Sequence, residues 1–424
     1  MSSWHTQNWS GHVTYGAARF HRPMTVGQVQ QIICEATKVR VIGSRHCFND
    51  IADTSGDLLW LGDLDVPVSI DPGRGTVTVP GGMTYEQLCP QLHAAGWALP
   101  NLASLKHITV VGAVVTATHG SGNALGNLAS VVSGIELVNA QGELVRLSRE
   151  KDGETFQGAV VNLGALGVVT GLTLDLEPAF LVQQDTYEQL PFADVFAHFD
   201  EITAAGYSVS LFPTWQKECV ESTWVKRRVP ELRPVPVPAK LFGAVLASAR
   251  PSDTPAADRV RTPYGRPGLW HERLPHYAFN EPLHPGDELQ SEYFVPRRHA
   301  VAAMQAIIGL RAGLAPILGC SEVRTIKADS LWLSSAYGED TVGIHFNWLK
   351  KWEGIGPFLP VLEQALAPFG ARPHLGKLFA TSPARLAEVY LRWKDFRDLV
   401  RAFDPAGKFS NRFVEKYVLG GPVA

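Results

Sequence analysis

The patterning of this chain changes at Pro178, and the change rules out a single repeating architecture. From residue 20 to 176, short β-like runs alternate with helical stretches. "TVGQVQQIICEAT" (25–37) carries apolar residues at helical spacing and reads as a helix. "VRVIG" (39–43) and "TVTVPGG" (76–82) read as strands. In "TYEQLCPQLHAAG", Thr84 and Gln87 stand at capping-box spacing and Gly96 is the expected helix stop. "VVSGIELVNAQGELVRLS" (131–148) reads as a hairpin turning at Ala140-Gln141-Gly142, and "GVVTGLTLDLEP" (167–178) as a strand that Pro178 closes. Beyond Pro178, "YSVSLFPTW", "STWVKRR", "LQSEYFVP", "CSEVRTI" and "VGIHFNWLK" read as antiparallel strands. Pro-rich "VPELRPVPVPAK" (229–240) is expected to be an extended surface loop.

At 424 residues the chain exceeds one ordinary core, so two domains are expected. A net charge of -3 gives no bulk attraction for nucleic acid or an anionic membrane. The densest basic cluster, "WVKRRV" (224–229), reads as a solvated strand or turn. Five cysteines (34, 47, 89, 219 and 320) without a CxxC pair indicate neither a disulfide framework nor a zinc site, and no metal is expected. "MSSWHTQNWSGH" lacks the apolar core of a signal peptide, and no run approaches transmembrane length. A soluble cytoplasmic protein is the expectation. No GxGxxG follows the first strand, and GxxxxGK[ST] and HExxH are absent, so any nucleotide binds without a Rossmann fingerprint.

Three stretches could carry chemistry. "GSRHCFN" (43–49) is a Gly/Ser turn whose backbone N–H groups could form an anion-binding concavity, and His46 ends it. "NLASLKHITVVGAVVTATHGSGNALG" (101–126) is dense in small residues, which let a backbone approach a flat or charged ligand closely. The third set stands at strand period. Glu322 and Arg324 share one face, as do His345 and Asn347, while Lys377 interrupts the similar apolar run "HLGKLF". Such a mixture of acid, base and amide would suit a polyhydroxylated substrate. Each stretch also has a structural reading: a solvated turn histidine, glycines needed for tight turns, and polar strand faces that meet water.

Taken together, "VIGSRHCFNDIA", "LPNLASLKHITVVGAVVTATHGSG", "NLGALGVVTGLTLDLEPA", "WHERLPHY", "ELQSEYFVPR", "EVRT", "ARPHLGK" and "FDPAGKFSN" resemble the alditol oxidases, which are vanillyl-alcohol-oxidase-type FAD flavoproteins. The resemblance spans almost the whole chain. It implies an α+β fold: a two-subdomain FAD-binding domain from residues 1–178, completed by 371–424, and a substrate cap, 179–370, whose antiparallel sheet covers the flavin. It implies FAD bound covalently through His46 to the flavin 8α carbon. Cofactor contacts then fall on Val41, Ile42, Gly43, Ser44, Arg45, Cys47, Ser104, Thr109, Gly112, Ala113, Thr116, Thr118, Gly120 and Val169. The substrate positions are Ser104, Glu322, Arg324, His345, Asn347 and Lys377. Arg324 and Lys377 are the expected cations, and Glu322 or His345 the base. The expected reaction oxidises the terminal alcohol of a sugar alcohol by hydride transfer to flavin N5, with dioxygen giving hydrogen peroxide, in a monomer. Relatives carry glycine at Arg45, serine at Cys47, proline at Lys106 and threonine at Asn347. The alternatives are an aldonolactone oxidase or dehydrogenase of the same superfamily and a non-catalytic carbohydrate-binding relative.

Overall fold

A computed structural model of the protein describes residues 4–248, 262–277, 286 and 288–421. The first layer is a parallel sheet of β1 (Arg19–His21), β2 (Val39–Ile42) and β3 (Asp57–Trp60) in the order β1-β3-β2. Helix α1 (Val26–Glu35) joins β1 to β2, capped by the Thr25 side chain on the Gln28 amide, so the helix reads as its spacing predicts. Its Val29 and Ile33 bury against Val39 and Leu59.

Next along the chain come β4 (Ser69–Asp71), β5 (Thr76–Pro80), β6 (Trp97–Ala98), β7 (Val132–Val138), β8 (Leu144–Ser148), β9 (Val168–Asp175) and β10 (Glu177–Pro178). Five of them form an antiparallel sheet, β4-β5-β9-β7-β8, while β6 pairs with β10. The expected hairpin is β7–β8, and Thr84 and Gln87 form the expected capping box at the head of α2 (Tyr85–Ala94). Gly96 follows the helix at φ +83°, a left-handed stop that glycine adopts without a side-chain clash. The short helix α3 (Val110–Val115) packs against β9 in the same core.

Past Pro178 the chain builds one antiparallel sheet, which among the described residues has ten strands. They are β11 (Leu181–Pro191), β12 (Ser208–Phe212), β13 (Cys219–Val229), β14 (Lys240–Leu241), β15 (Ala244–Leu246), β16 (Pro267–Leu269), β17 (Glu288–Pro296), β18 (Leu318–Ile326), β19 (Thr341–Leu349) and β20 (Arg372–Pro373). The order is β14-β15-β11-β13-β12-β18-β19-β17-β20, with β16 also on β11. Alternation sorts the faces. Val342, Ile344, Phe346 and Trp348 of β19 enter a core closed by Met304 and Ile307 of helix Ala300–Ile308 and by Ile355, Leu359 and Leu362 of helix Trp352–Leu366. His345 and Asn347 take the opposite face. After β20 the chain returns to the first half, where Phe396, Val400, Phe413 and Val414 share a core with Phe156 and Leu386.

Three local readings gain or change meaning. The Pro-rich segment is extended, and it lies along β11: the Gln183 amide bonds the Val235 backbone in both directions, and Tyr187 Oη donates to the Pro238 carbonyl (3.0 Å). Within "WVKRRV", Lys226 is not solvated. It is 1% exposed, because the carbonyls of Leu274 and Pro275 fold over its ammonium and replace water. Lys377 sits on no strand: after Arg372–Pro373 the chain turns, and the Lys377 amide donates to the His374 carbonyl (3.0 Å).

Candidate active site

The cavity between the two halves has a volume of about 890 Å³. One wall is the turn after β2. Ser44 Oγ donates to the His107 carbonyl (2.8 Å) and accepts from the Thr109 amide (3.0 Å), which clamps this turn to the head of α3. The approach is close enough that a Cβ on Gly43 would lie 2.2 Å from Thr109 Oγ1. Gly112, Ala113, Thr116 and Thr118 continue the wall, with Ala103 and Ser104 nearby and Val41, Ile42 and Val169 beyond. Side chains this small leave a slot that a flat, extended ligand can enter. Gly120 lies off the wall: a Cβ there would meet Asn101 Oδ1 and the Leu102 carbonyl, so its smallness serves backbone packing.

Arg45 and His46 close the turn. Arg45 has φ +61°, the left-handed region in which glycine is least strained. Its Nη1 donates to the Gln7 carbonyl (2.8 Å), and its own carbonyl accepts from the Trp9 amide (2.8 Å). Asn8 Nδ2 donates to the Cys47 carbonyl (3.0 Å). The N-terminal segment is thereby strapped over the turn, and the Trp9 ring lies 4.6 Å from the His46 imidazole. His46 Nε2 hydrogen-bonds His107 Nε2. Burial first, then His107, Arg45 and Lys377, hold His46 well below its ordinary pKa, so it is a neutral imidazole at neutral pH. Burial and Lys106 push His107 down to about 4. Lys106 is itself buried, 3.5 Å from Glu86 Oε1. Burial raises the Cys47 thiol to about 11, which leaves it protonated and unreactive.

The facing wall comes from the ten-stranded sheet and centres on Glu292, 1% exposed. It accepts from Arg324 Nη2 (2.7 Å) and Lys377 Nζ (2.7 Å), and His119 Nε2 lies 3.0 Å from it. Burial alone would raise its pKa. Lys377, His119, Arg324 and His345 outweigh that and hold the carboxyl well below the ordinary range. Lys377 Nζ also donates to His345 Nδ1 (2.8 Å), so His345 Nε2 carries the proton it gives to Asn347 Oδ1 (2.6 Å). Asn347 Nδ2 donates to Cys320 Sγ (3.2 Å). Glu322 stands beside Arg324, with Arg324 Nε 3.6 Å from Oε2. Burial opposes its ionisation, but Arg324, His276 and His345 hold it well below the ordinary range. Arg324 Nη1 reaches Ser104 Oγ (3.5 Å) and thus bridges the two walls. Strand register explains the convergence: Glu292 pairs with His345 and His345 with Glu322, and one rung on, Gln290 pairs with Asn347 and Asn347 with Cys320.

The structure therefore brings Ser104, Glu322, Arg324, His345, Asn347 and Lys377 together at one end of the slot that His46 and the 41–47 turn line. These strand faces meet the cavity rather than bulk water. Sequence reasoning missed Glu292 and Gln290, although Glu288, Gln290 and Glu292 alternate with Leu289 and Tyr293 in the stretch read as a strand. It also missed His107 and His276, which stand in loops with no periodicity to mark them. Among the described residues no helix is long and apolar enough to cross a membrane, and no three or more His, Cys, Asp or Glu side chains are grouped so as to hold a metal ion.

Residues 17–148 match the family described as FAD binding domain, and residues 287–417 match D-arabinono-1,4-lactone oxidase. The chain is 44% identical to an alditol oxidase of Streptomyces sp. over 97% of this chain and 99% of that protein. It is 29% identical to an L-gulono-1,4-lactone dehydrogenase of Mycobacterium tuberculosis, over 97% of this chain and 98% of that one. Among solved structures, cholesterol oxidase from B. sterolicum superposes with a TM-score of 0.78 at 15% identity, covering 97% of this chain and 96% of the other, a likeness of fold. The slot is walled by small residues and is also lined by Trp60, Leu61 and His46, so a flat, extended cofactor such as the FAD of the matched domain family fits the residues present. The chain belongs to the alditol oxidases, within the vanillyl-alcohol-oxidase-type family of FAD flavoproteins.

Proposed function

We propose that this protein is an FAD-dependent alditol oxidase that converts the terminal alcohol of a sugar alcohol to an aldehyde, RCH2OH + O2 → RCHO + H2O2. The supporting observation is the buried cluster of Glu292, Arg324, Lys377, His345 and Glu322 at the end of a flavin-sized slot. Bound FAD would supply the hydride acceptor, N5, and pass the electrons to dioxygen. Residues 1–178 with 371–424 would hold it, through the 41–47 turn and the wall from Ser104 to Thr118, and 179–370 would cover it.

The chain's own residues bind the polyol, orient it and move its proton. Lys377 and Arg324 lower the proton affinity of the reacting hydroxyl and stabilise the alkoxide that develops. Glu292 holds both cations in place. His345 is the base in this reading: its Nδ1 lone pair faces Lys377, where a hydroxyl would insert, whereas Glu322 is held too acidic to take a proton readily. Glu322 accepts a hydrogen bond from an adjacent hydroxyl, and Asn347 offers donor and acceptor to the next. His46, neutral and gripped between Trp9 and His107, is the proposed tether to the flavin 8α carbon.

One preparation tests the reading. Its visible spectrum is recorded anaerobically before and after adding xylitol or sorbitol, and the protein is then precipitated in acid. Loss of the flavin band with polyol, its return on admitting oxygen, and a yellow pellet are expected. A band that polyols leave unchanged would overturn the substrate class, and a colourless pellet the tether. The match to D-arabinono-1,4-lactone oxidase makes sugar lactones the second class to try.

A further inference from the structure

Residues 262–277 run through edge strand β16 to the cavity, which His276 lines, and their last turn is held from several directions. Lys226 Nζ, buried on β13, donates to the Leu274 carbonyl and to the Pro275 carbonyl (3.3 Å). Thr262 Oγ1 donates to the Pro275 carbonyl (2.6 Å), and the Thr262 amide to the His276 carbonyl (2.9 Å). The His276 amide donates to the Ser104 carbonyl (3.0 Å), which ties this loop to the opposite wall. The His276 ring stands edge-on to Trp224 (5.0 Å) and Phe212 (5.7 Å).

All of this places His276 Nε2 at 2.8 Å from Glu322 Oε1. An ionised carboxylate only accepts, so Nε2 carries the proton, and Nδ1 is buried without a hydrogen-bond partner. Burial, Lys226 and Arg324 favour the neutral ring, and together they outweigh Glu322. Glu322 is also faced by Arg324 on its own strand, by His345 on β19, by Lys226 on β13 and by Lys377 in the turn after β20.

We infer that His276 is a positioning residue for substrate selection: its Nε2–H fixes one oxygen of Glu322, and so aims the rest of that carboxylate at a polyol hydroxyl next to the reacting carbon. The inference rests on the polyol-oxidising reading above. It gives Lys226, whose amine burial pushes down to about 7, a purpose as the buried donor that seats the loop. The step involves no bond making by His276 and no change in its charge.

His276→Phe keeps a ring between Trp224 and Phe212 but removes the donor. His276→Gln restores a donor near the position of Nε2. In the holoenzyme, oxygen uptake with xylitol from pH 5 to 9 is expected to show KM raised about tenfold by His276→Phe, the worth of one charge-assisted hydrogen bond, with kcat changed less than about twofold. The shape of the kcat/KM profile between pH 5 and 9 should not change, because Arg324 and His345 still hold Glu322 ionised across that range. His276→Gln should recover most of the KM. An unchanged KM in His276→Phe would overturn the inference. So would a His276→Gln enzyme no better than His276→Phe, since that marks a packing role. A second readout needs no turnover. In 15N-histidine NMR of the holoenzyme at pH 7.5, the signal lost in His276→Gln should be that of a neutral Nε2–H tautomer. An Nδ1–H or doubly protonated ring at that pH would overturn the proposal. If the tautomer is as expected but no polyol reduces the flavin, it is the substrate reading that fails.

Discussion

Glu292, which the sequence does not single out, is the carboxylate on which two buried cations of the site converge. It lies beneath two cations, Arg324 and Lys377, each 2.7 Å away, and a buried charge of either sign without its partner is costly. Its ordinary pKa, about 4.3, is the unfolded reference. The folded value is well below that, so its stabilisation is complete above about pH 4.3 and fades as pH falls toward the folded value. Glu292→Gln is expected to cost about 3–5 kcal/mol at neutral pH, by stranding Arg324 and Lys377, and to flatten the loss of stability between about pH 4.5 and 3. Urea unfolding at pH 7, 4 and 3 measures both. A variant as stable as the parent at pH 7 would show that the cations find other partners.

At the scale of elements, two chain segments make the cofactor slot by near contact rather than by a continuous motif. The turn after β2 approaches the head of α3 so closely that Gly43 has no room for a methyl group beside Thr109 Oγ1, 2.2 Å from where its Cβ would stand. Gly43→Ala is expected to lower the flavin content of the purified protein severalfold, seen as a reduced ratio of visible to ultraviolet absorbance, while circular dichroism stays unchanged. Thr109→Ala in the same chain removes the Oγ1 and should restore much of the flavin. Failure of the double variant to recover any would place the damage elsewhere in the turn. The strands opposite work by register: three neighbouring strands put Glu292, His345 and Glu322 on one rung, so a shift of one residue in any of them would send its polar side chain into the aromatic core.

For the molecule as a whole, the first half of the chain is completed by the last. Arg40 of β2, buried, donates to the carbonyls of Leu163 (2.7 Å), Gly164 (2.9 Å), Phe409 (2.9 Å) and Ile51. Asn411 Nδ2 adds bonds to the carbonyls of Asp50, Ile51 and Asp53. Burial lowers Arg40 to about 10, so it is still a cation at neutral pH. Arg40→Met should leave these carbonyls unsatisfied, lose about 3–5 kcal/mol in urea unfolding and loosen flavin retention, since Arg40 also lines the slot. Unchanged stability would mean that water enters to replace it. By itself the sequence determined several features that depend on near neighbours: the Thr84–Gln87 cap, the β7–β8 hairpin, and the two faces of β18 and β19 that set Glu322 with Arg324 and His345 with Asn347. It also marked His46 at the end of a glycine turn. Only the tertiary structure decided what covers those faces. Periodicity reports which side of a strand a residue takes, not whether that side meets water, a cavity or another chain segment. Thus Lys226, which reads as solvated, is sealed by carbonyls almost fifty residues further along the chain. Lys377 reaches Glu292 from a turn, and His107 and His276 meet His46 and Glu322 from loops that no spacing rule connects to them. Charge burial is set by partners distant in sequence, and their positions exist only once the chain has closed.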